Sequence, residues 1–125
     1  MSKPSEITLL HKLGFVYIHF SSSTDDLLSA RELDIILDKV DYFISSEEHH
    51  YRQTYHVLTD VLNWYMTLNI DERESEFMNF VNDLNSELQE KNKSYCLNNL
   101  KTLSEADGIN TKEVSLIDQV KSVWS

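Results

Sequence analysis

Two glycines and one proline occur in 125 residues. Turn-rich β folds need many of both, so the composition points to helices. There is one cysteine, Cys96, which leaves no disulfide framework within the chain. No apolar run approaches the ~20 residues of a membrane-spanning helix. Basic residues are scarce too: eleven Lys and Arg stand against twenty-one Asp and Glu, for a net charge of −10. A phosphate-binding surface needs clustered basic residues, and these are scattered, so no nucleic-acid partner is expected. Anionic membranes are disfavoured for the same reason. Cations or basic protein surfaces suit such a field better. The opening MSKPSEITLLHKLGF is polar and then mixed, unlike a signal peptide. A soluble, cytoplasmic protein is the expectation.

What is present is helical periodicity. Apolar residues make up 41% of the chain, enough for one core in one domain, 1–125. Pro4 suits the first turn of a helix, and Ile7, Leu10, Leu13, Val16 or Tyr17, and Phe20 follow at helical spacing, predicting a first helix over about 5–21. Ser21-Ser22-Ser23-Thr24 breaks that pattern. A second helix carries Leu33, Ile36, Leu37, Val40, Phe43 and Ile44. A third, over about 46–68, has Tyr51, Tyr55, Leu58, Leu62 and Tyr65 on one stripe, widened by Val61, Trp64 and Leu68. So broad a face predicts a long central helix packed on more than one side. A fourth, about 72–89, shows Phe77, Phe80, Val81, Leu84 and Leu88. A fifth, about 93–105, carries Cys96 or Leu97, Leu100 and Leu103, and Gly108 would end it as a left-handed cap residue. A sixth, about 111–124, shows Val114, Ile117, Val120 and Trp124. The fold class predicted is an all-α, compact single-domain bundle of six or seven helices around that long central helix, with two pseudo-repeated helical hairpins.

The repeat lies in DLLSARELDII and DGINTKEVSLI, offset by 81 residues. Asp26 aligns with Asp107, Glu32 with Glu113, and the apolar positions that follow align as well. The plainest reading is capping. Ser29-Ala-Arg-Glu32 has the spacing of a capping box, and Asn110-Thr-Lys-Glu113 repeats it with an asparagine cap. Ser45-Ser-Glu-Glu48 and Asp71-Glu-Arg-Glu74 share the device. Yet only the first two have the upstream aspartate. Asp107 follows the negative end of a helix, and its reach is to the start of the next, beside Glu113. Two carboxylates on one loop want a counter-cation, and hard oxygen ligands select Ca²⁺, Mg²⁺ or Mn²⁺. DGINTKE lacks the order of an EF-hand loop. Spacing alone favours capping over an ion site and leaves both open.

EADGINTKEVSLIDQV, residues 105–120, resembles the signature of the tellurite-resistance TerB-like family. That signature has a small residue, an Asp-Gly step, a glutamate six residues after the aspartate, and an apolar helix. Ala106, Asp107, Gly108 and Glu113 match it closely. Asp26 and Glu32 match in part, because Leu27 stands where glycine is expected. A left-handed backbone would cost leucine roughly 1–2 kcal/mol, so the first loop turns differently, or Asp25 takes the role of Asp26. The resemblance implies an all-α fold, a cytoplasmic location, and a part in stress or metal response. It also implies divalent-cation binding by Asp26, Glu32, Asp107 and Glu113.

Other groups invite chemistry less. Glu47-Glu48-His49-His50 with His56 lacks the third strong ligand zinc needs, and reads as a solvated helix start. His19 lies on an apolar stretch and reads as a hydrogen-bonded core residue. Cys96 reads as a small core hydrophobe. No glycine-rich phosphate loop or nucleophile elbow occurs. Three functions stay in view. The first is a non-enzymatic TerB-like accessory protein that binds a divalent cation. The second is an interaction module, homodimeric or partner-binding, whose acidic motifs are only caps. The third, ranked last, is a metal-dependent hydrolase, which requires a pocket where at least three acids converge.

Overall fold

A computed structural model describes residues 3–22, 30–41, 51–106 and 111–124, and their side chains except at 30–32, 51–53, 104–106 and 111–112. All regular structure among these residues is helical: α1 (Leu9–Ser22), α2 (Ala30–Asp41), α3 (Tyr51–Thr67), α4 (Ile70–Glu87), α5 (Glu90–Ala106) and α6 (Thr111–Trp124). Among the described residues no helix is long and apolar enough to cross a membrane.

The helix at the centre is α1, not the third. It packs on α3 and α4, and also on α2 and α5. Residues Leu13 to Ser21 are all buried. The run FVYIHF explains this: a helix apolar all round has to be buried all round. Phe15 shows the result, with ring centroids 5.1 Å from Trp64, 5.3 Å from Tyr65 and 5.2 Å from Phe80. Gly14 lets α3 approach, because a Cβ there would lie 2.7 Å from Leu58 Cδ2.

The start of α1 also differs from expectation. Pro4 lies ahead of the helix, which begins only at Leu9. Thr8 is the turning point. Its carbonyl accepts from the Lys12 amide at 3.1 Å. Its own amide donates to His11 Nδ1 at 3.1 Å, and its hydroxyl lies 2.7 Å from the same nitrogen. His11 thus does what Glu or Gln does at the third position of a capping box.

Two amphipathic helices, α2 and α4, bury the predicted faces: Ile36, Leu37 and Val40 in one, Phe77, Phe80, Val81, Leu84 and Leu88 in and just beyond the other. Phe43 and Ile44 fall outside the described residues. The α4 cap is displaced by two positions from the expected one. Asn69, not Asp71, accepts from the Glu72 amide at 2.8 Å, and Glu72 Oε1 accepts from the Asn69 amide at 2.9 Å. Asn-x-x-Glu closes a reciprocal box as well as Asp-x-x-Glu does, and the earlier one adds two residues to the helix.

On α3 the buried face is Thr54, Leu58, Val61, Trp64 and Tyr65, while Tyr55 is 54% exposed. Thr54 is accommodated by donating to Asp41 Oδ1 of α2 at 2.8 Å. On α5 the buried residues include Cys96, Asn99, Leu100 and Leu103, and Asn99 Nδ2 donates to the Tyr17 hydroxyl at 3.1 Å. On α6 they are Glu113, Leu116, Ile117, Val120 and Trp124. The Trp124 indole donates to the Val81 carbonyl of α4 at 2.9 Å.

Candidate functional site

The acidic hairpins come first. Helix α2 begins at Ala30 and α6 at Thr111, 81 positions apart like the two sequence motifs. Glu32 and Glu113 are therefore each the third residue of a helix, the register a capping box requires. Asp26 and Asp107 lie outside the described residues, as do Gly108, Asn110 and the Ser45–Glu48 box. Glu32 is placed on α2, but its side chain is outside the described ones.

Glu113 is placed in full, and differently from expectation. It is 4% exposed, whereas Val114, expected in the core, is 45% exposed. Ile117, Val120 and Trp124 face inward as expected, but the stripe runs on through Leu116 to Glu113 in place of Val114, so it begins with a carboxylate. Burial of a carboxylate is costly unless it is compensated, and Glu113 is not without an interaction partner. The position is also favourable, since the first turn of a helix carries positive partial charge. At the end of α1, Ser21 Oγ is buried without a hydrogen-bond partner among the described residues.

His19 and Cys96 stand in the core, as the sequence led us to expect. His56 is exposed, with its ring 6.4 Å from that of Tyr55; His49 and His50 lie outside the described residues. Buried His19 has Nδ1 3.0 Å from the Tyr65 hydroxyl and its ring 4.7 Å from Phe77. It lines a cleft of about 250 Å³ between α1, α4 and α6, with Glu74 and Gln119 as its other large polar groups. Cys96 is buried at α5, and burial pushes its thiol up to about 11 against the opposing hydrogen bond from Tyr17. A thiol so disposed is not a nucleophile at neutral pH.

A second feature lies at the corner where α3 meets α4. Met66 is 56% exposed and Ile70 is 66% exposed. They line an open cleft of about 760 Å³ with Leu68 and Asp71. Beside it is a cleft of about 460 Å³ lined by Trp64, Asp71, Glu72, Glu76 and Lys3. Positions 71, 72, 75 and 76 share one face of α4 by helical spacing. The Lys3 ammonium lies 5.5 Å from the Trp64 ring centroid and 3.5 Å from Glu76 Oε2.

Comparison with protein-family models, with curated proteins and with solved structures returns no match.

Three acids therefore converge at this corner, the condition set for a hydrolase. Two of the three already have an oxygen engaged, however. Glu72 caps α4, and Glu76 accepts from Asn79 Nδ2 at 3.1 Å and pairs with Lys3. Among the described residues no three His, Cys, Asp or Glu side chains form a group that could hold a metal ion. The corner was legible only in part. DERESE reads as a helix start, and nothing local to it says that Trp64 and Lys3 are brought to the same place by the α3–α4 turn and the segment before α1.

Proposed function

We propose that this chain is a non-enzymatic, TerB-like accessory protein of stress or metal response that binds a divalent cation through its acidic interhelical loops. One observation carries the reading. Glu32 and Glu113, at the same place in α2 and α6, each follow an aspartate by six residues, an upstream acid that a capping box does not need. Glu113 fits the role of a hard-oxygen donor, because its carboxylate is buried where a helix begins. Ser21, five residues before Asp26 in sequence, would add a buried hydroxyl to the first loop. Carboxylate and hydroxyl oxygens suit Ca²⁺, Mg²⁺ or Mn²⁺. The ion would neutralise crowded negative charge and tie consecutive helices together.

Thermal denaturation in the presence of each ion tests this. Binding to the folded state alone stabilises it by roughly 2.7 kcal/mol at a hundredfold excess over Kd. The expected result is a raised Tm with at least one ion, a gain lost in Asp107→Asn and in Glu113→Gln. No stabilisation at millimolar ion, or an unchanged response in Asp107→Asn, removes the site.

A second reading is favoured by Tyr55, Met66, Ile70 and Val114, four large apolar side chains left exposed. On that reading the chain is a protein-interaction module, and its acidic motifs are caps. Sedimentation equilibrium gives a mass above monomer if the partner is a second copy. A monomer directs the search to a different protein.

A further inference from the structure

We propose that the α3–α4 corner is a receptor for a Lys- and Arg-rich amphipathic segment of a protein partner, and that Lys3 of this chain occupies its cation pocket when no partner is bound. This names the partner class for the interaction reading, on which it rests, and is independent of the acidic loops.

The corner has two parts that share Leu68 and Asp71. Met66, Leu68 and Ile70 form an apolar ledge; Asn69 and Arg73 line it too, the Arg73 guanidinium donating to the Tyr65 carbonyl and standing over the Tyr65 ring. Asp71, Glu72 and Glu76 form an acidic bank beside it. An amphipathic helix laid on the ledge presents apolar residues at i, i+3, i+4 and i+7 and sets its flanking charges against the bank. Those charges have to be positive: the net charge of −10 attracts basic segments over a distance and repels acidic ones. A second copy of this chain is a poor occupant, because a symmetric contact would bring the acidic bank close to itself. A small free amine would leave the ledge uncovered.

The pocket already shows what it takes. Lys3 stands over the Trp64 ring and beside Glu76, so an aromatic face and a carboxylate hold one ammonium. Cation–π attraction and an ion pair act together there. The Lys3 side chain remains 55% exposed, so surface-type energetics govern the contact and a competing lysine or arginine can displace it. Segment 3–8 then behaves as an intramolecular competitor.

Titration calorimetry on the full chain tests this, with a short helical peptide whose polar face is all lysine and whose apolar face is leucine. A peptide of the same apolar pattern with glutamate on the polar face is the control. The lysine peptide is expected to bind at least about tenfold more tightly than the glutamate one. Lys3→Ala, which removes the competitor, tightens lysine-peptide binding about threefold. Glu76→Gln and Ile70→Ser weaken it by about three- to tenfold. Asp118→Asn, a change of equal charge at an exposed position on α6, leaves it unchanged.

Equal binding of the two peptides overturns the proposal. So does an Asp118→Asn loss as large as that of Glu76→Gln, which would show only a diffuse field. Unaltered or weakened binding in Lys3→Ala removes the competitor role and with it the proposal as stated. If lysine-peptide binding survives Ile70→Ser and is lost in Tyr55→Ser, the interaction reading stands and this corner is not its site. If neither peptide binds and the chain sediments as a monomer, both fall.

Discussion

Gly14→Ala sets two opposed effects of similar size against each other at the α1–α3 crossing. The added methyl would meet Leu58 Cδ2 at 2.7 Å, where ordinary contact begins at 3.4 Å. Leu58 is itself buried, and crowding a packed core costs roughly 1–3 kcal/mol. Against this, alanine gains roughly 1 kcal/mol over glycine in a helix interior. The net effect is a loss of about 0–2 kcal/mol. The groove of about 180 Å³ beside Leu58, between α2 and α3, gives its tip somewhere to move and sets the lower end of that range. The informative experiment is the double-mutant cycle with Leu58→Ala. That change alone costs about 2–5 kcal/mol. With the Leu58 side chain cut back, Gly14→Ala meets nothing, and becomes stabilising by roughly 0.5–1 kcal/mol. The coupling energy is therefore about 1–3 kcal/mol. Urea denaturation followed by circular dichroism, extrapolated linearly to water, measures all four corners. A Gly14→Ala effect of the same sign and size in both backgrounds would refute the close approach as the reason glycine stands there.

Acid is expected to loosen the start of α1. Burial holds the His11 imidazole below its usual range, outweighing the carboxylates of Asp60 and Glu6, which act the other way. Protonated His11 cannot accept from the Thr8 amide. Since the unfolded chain takes up this proton first, stability falls as pH drops below about 6.5 towards the depressed folded value. The loss approaches the worth of one cap, roughly 0.5–2 kcal/mol. Glutamine can accept as His11 does without titrating, so Tm against pH should flatten in His11→Gln; a curve that stays parallel to the parent's counts against this cap. Cys96 should resist thiol reagents. A rise from 9.0 to about 11 lowers its thiolate fraction at pH 8 about a hundredfold, and burial slows reaction further. Rates within tenfold of the urea-unfolded chain would contradict this placement.

Helices with one clean stripe were legible from the sequence. Ile36, Leu37 and Val40, and Phe77 to Leu88, alternate with polar residues so regularly that only one face can turn inward. The errors arise where several faces compete. FVYIHF has no polar face to fix a stripe, so periodicity points to the helix with the widest stripe as the centre of the bundle and passes over the one with none. In α6, Glu113 and Val114 differ by one helical step. Hydropathy puts the valine inside, whereas packing of Leu116, Ile117, Val120 and Trp124 puts the carboxylate there. The cap of α1 escaped because a histidine acceptor is not part of the usual capping pattern. The candidate site divides the same way. The acidic pairs stand out as a repeat in the text of the chain. The Trp64–Glu76–Lys3 pocket joins residues distant in sequence and exists only after folding.

The burial of α1 on every side has a consequence for biosynthesis. This helix emerges from the ribosome before either of its main neighbours, α3 and α4, does. At roughly 5–20 residues per second, some seconds pass with Phe15, Val16, Tyr17, Ile18 and Phe20 lacking those partners. Nascent chains of this protein should therefore engage holding chaperones early and release them abruptly once α4 has emerged, so that production in the cell is governed by the schedule of elongation as well as by the equilibrium stability of the finished bundle.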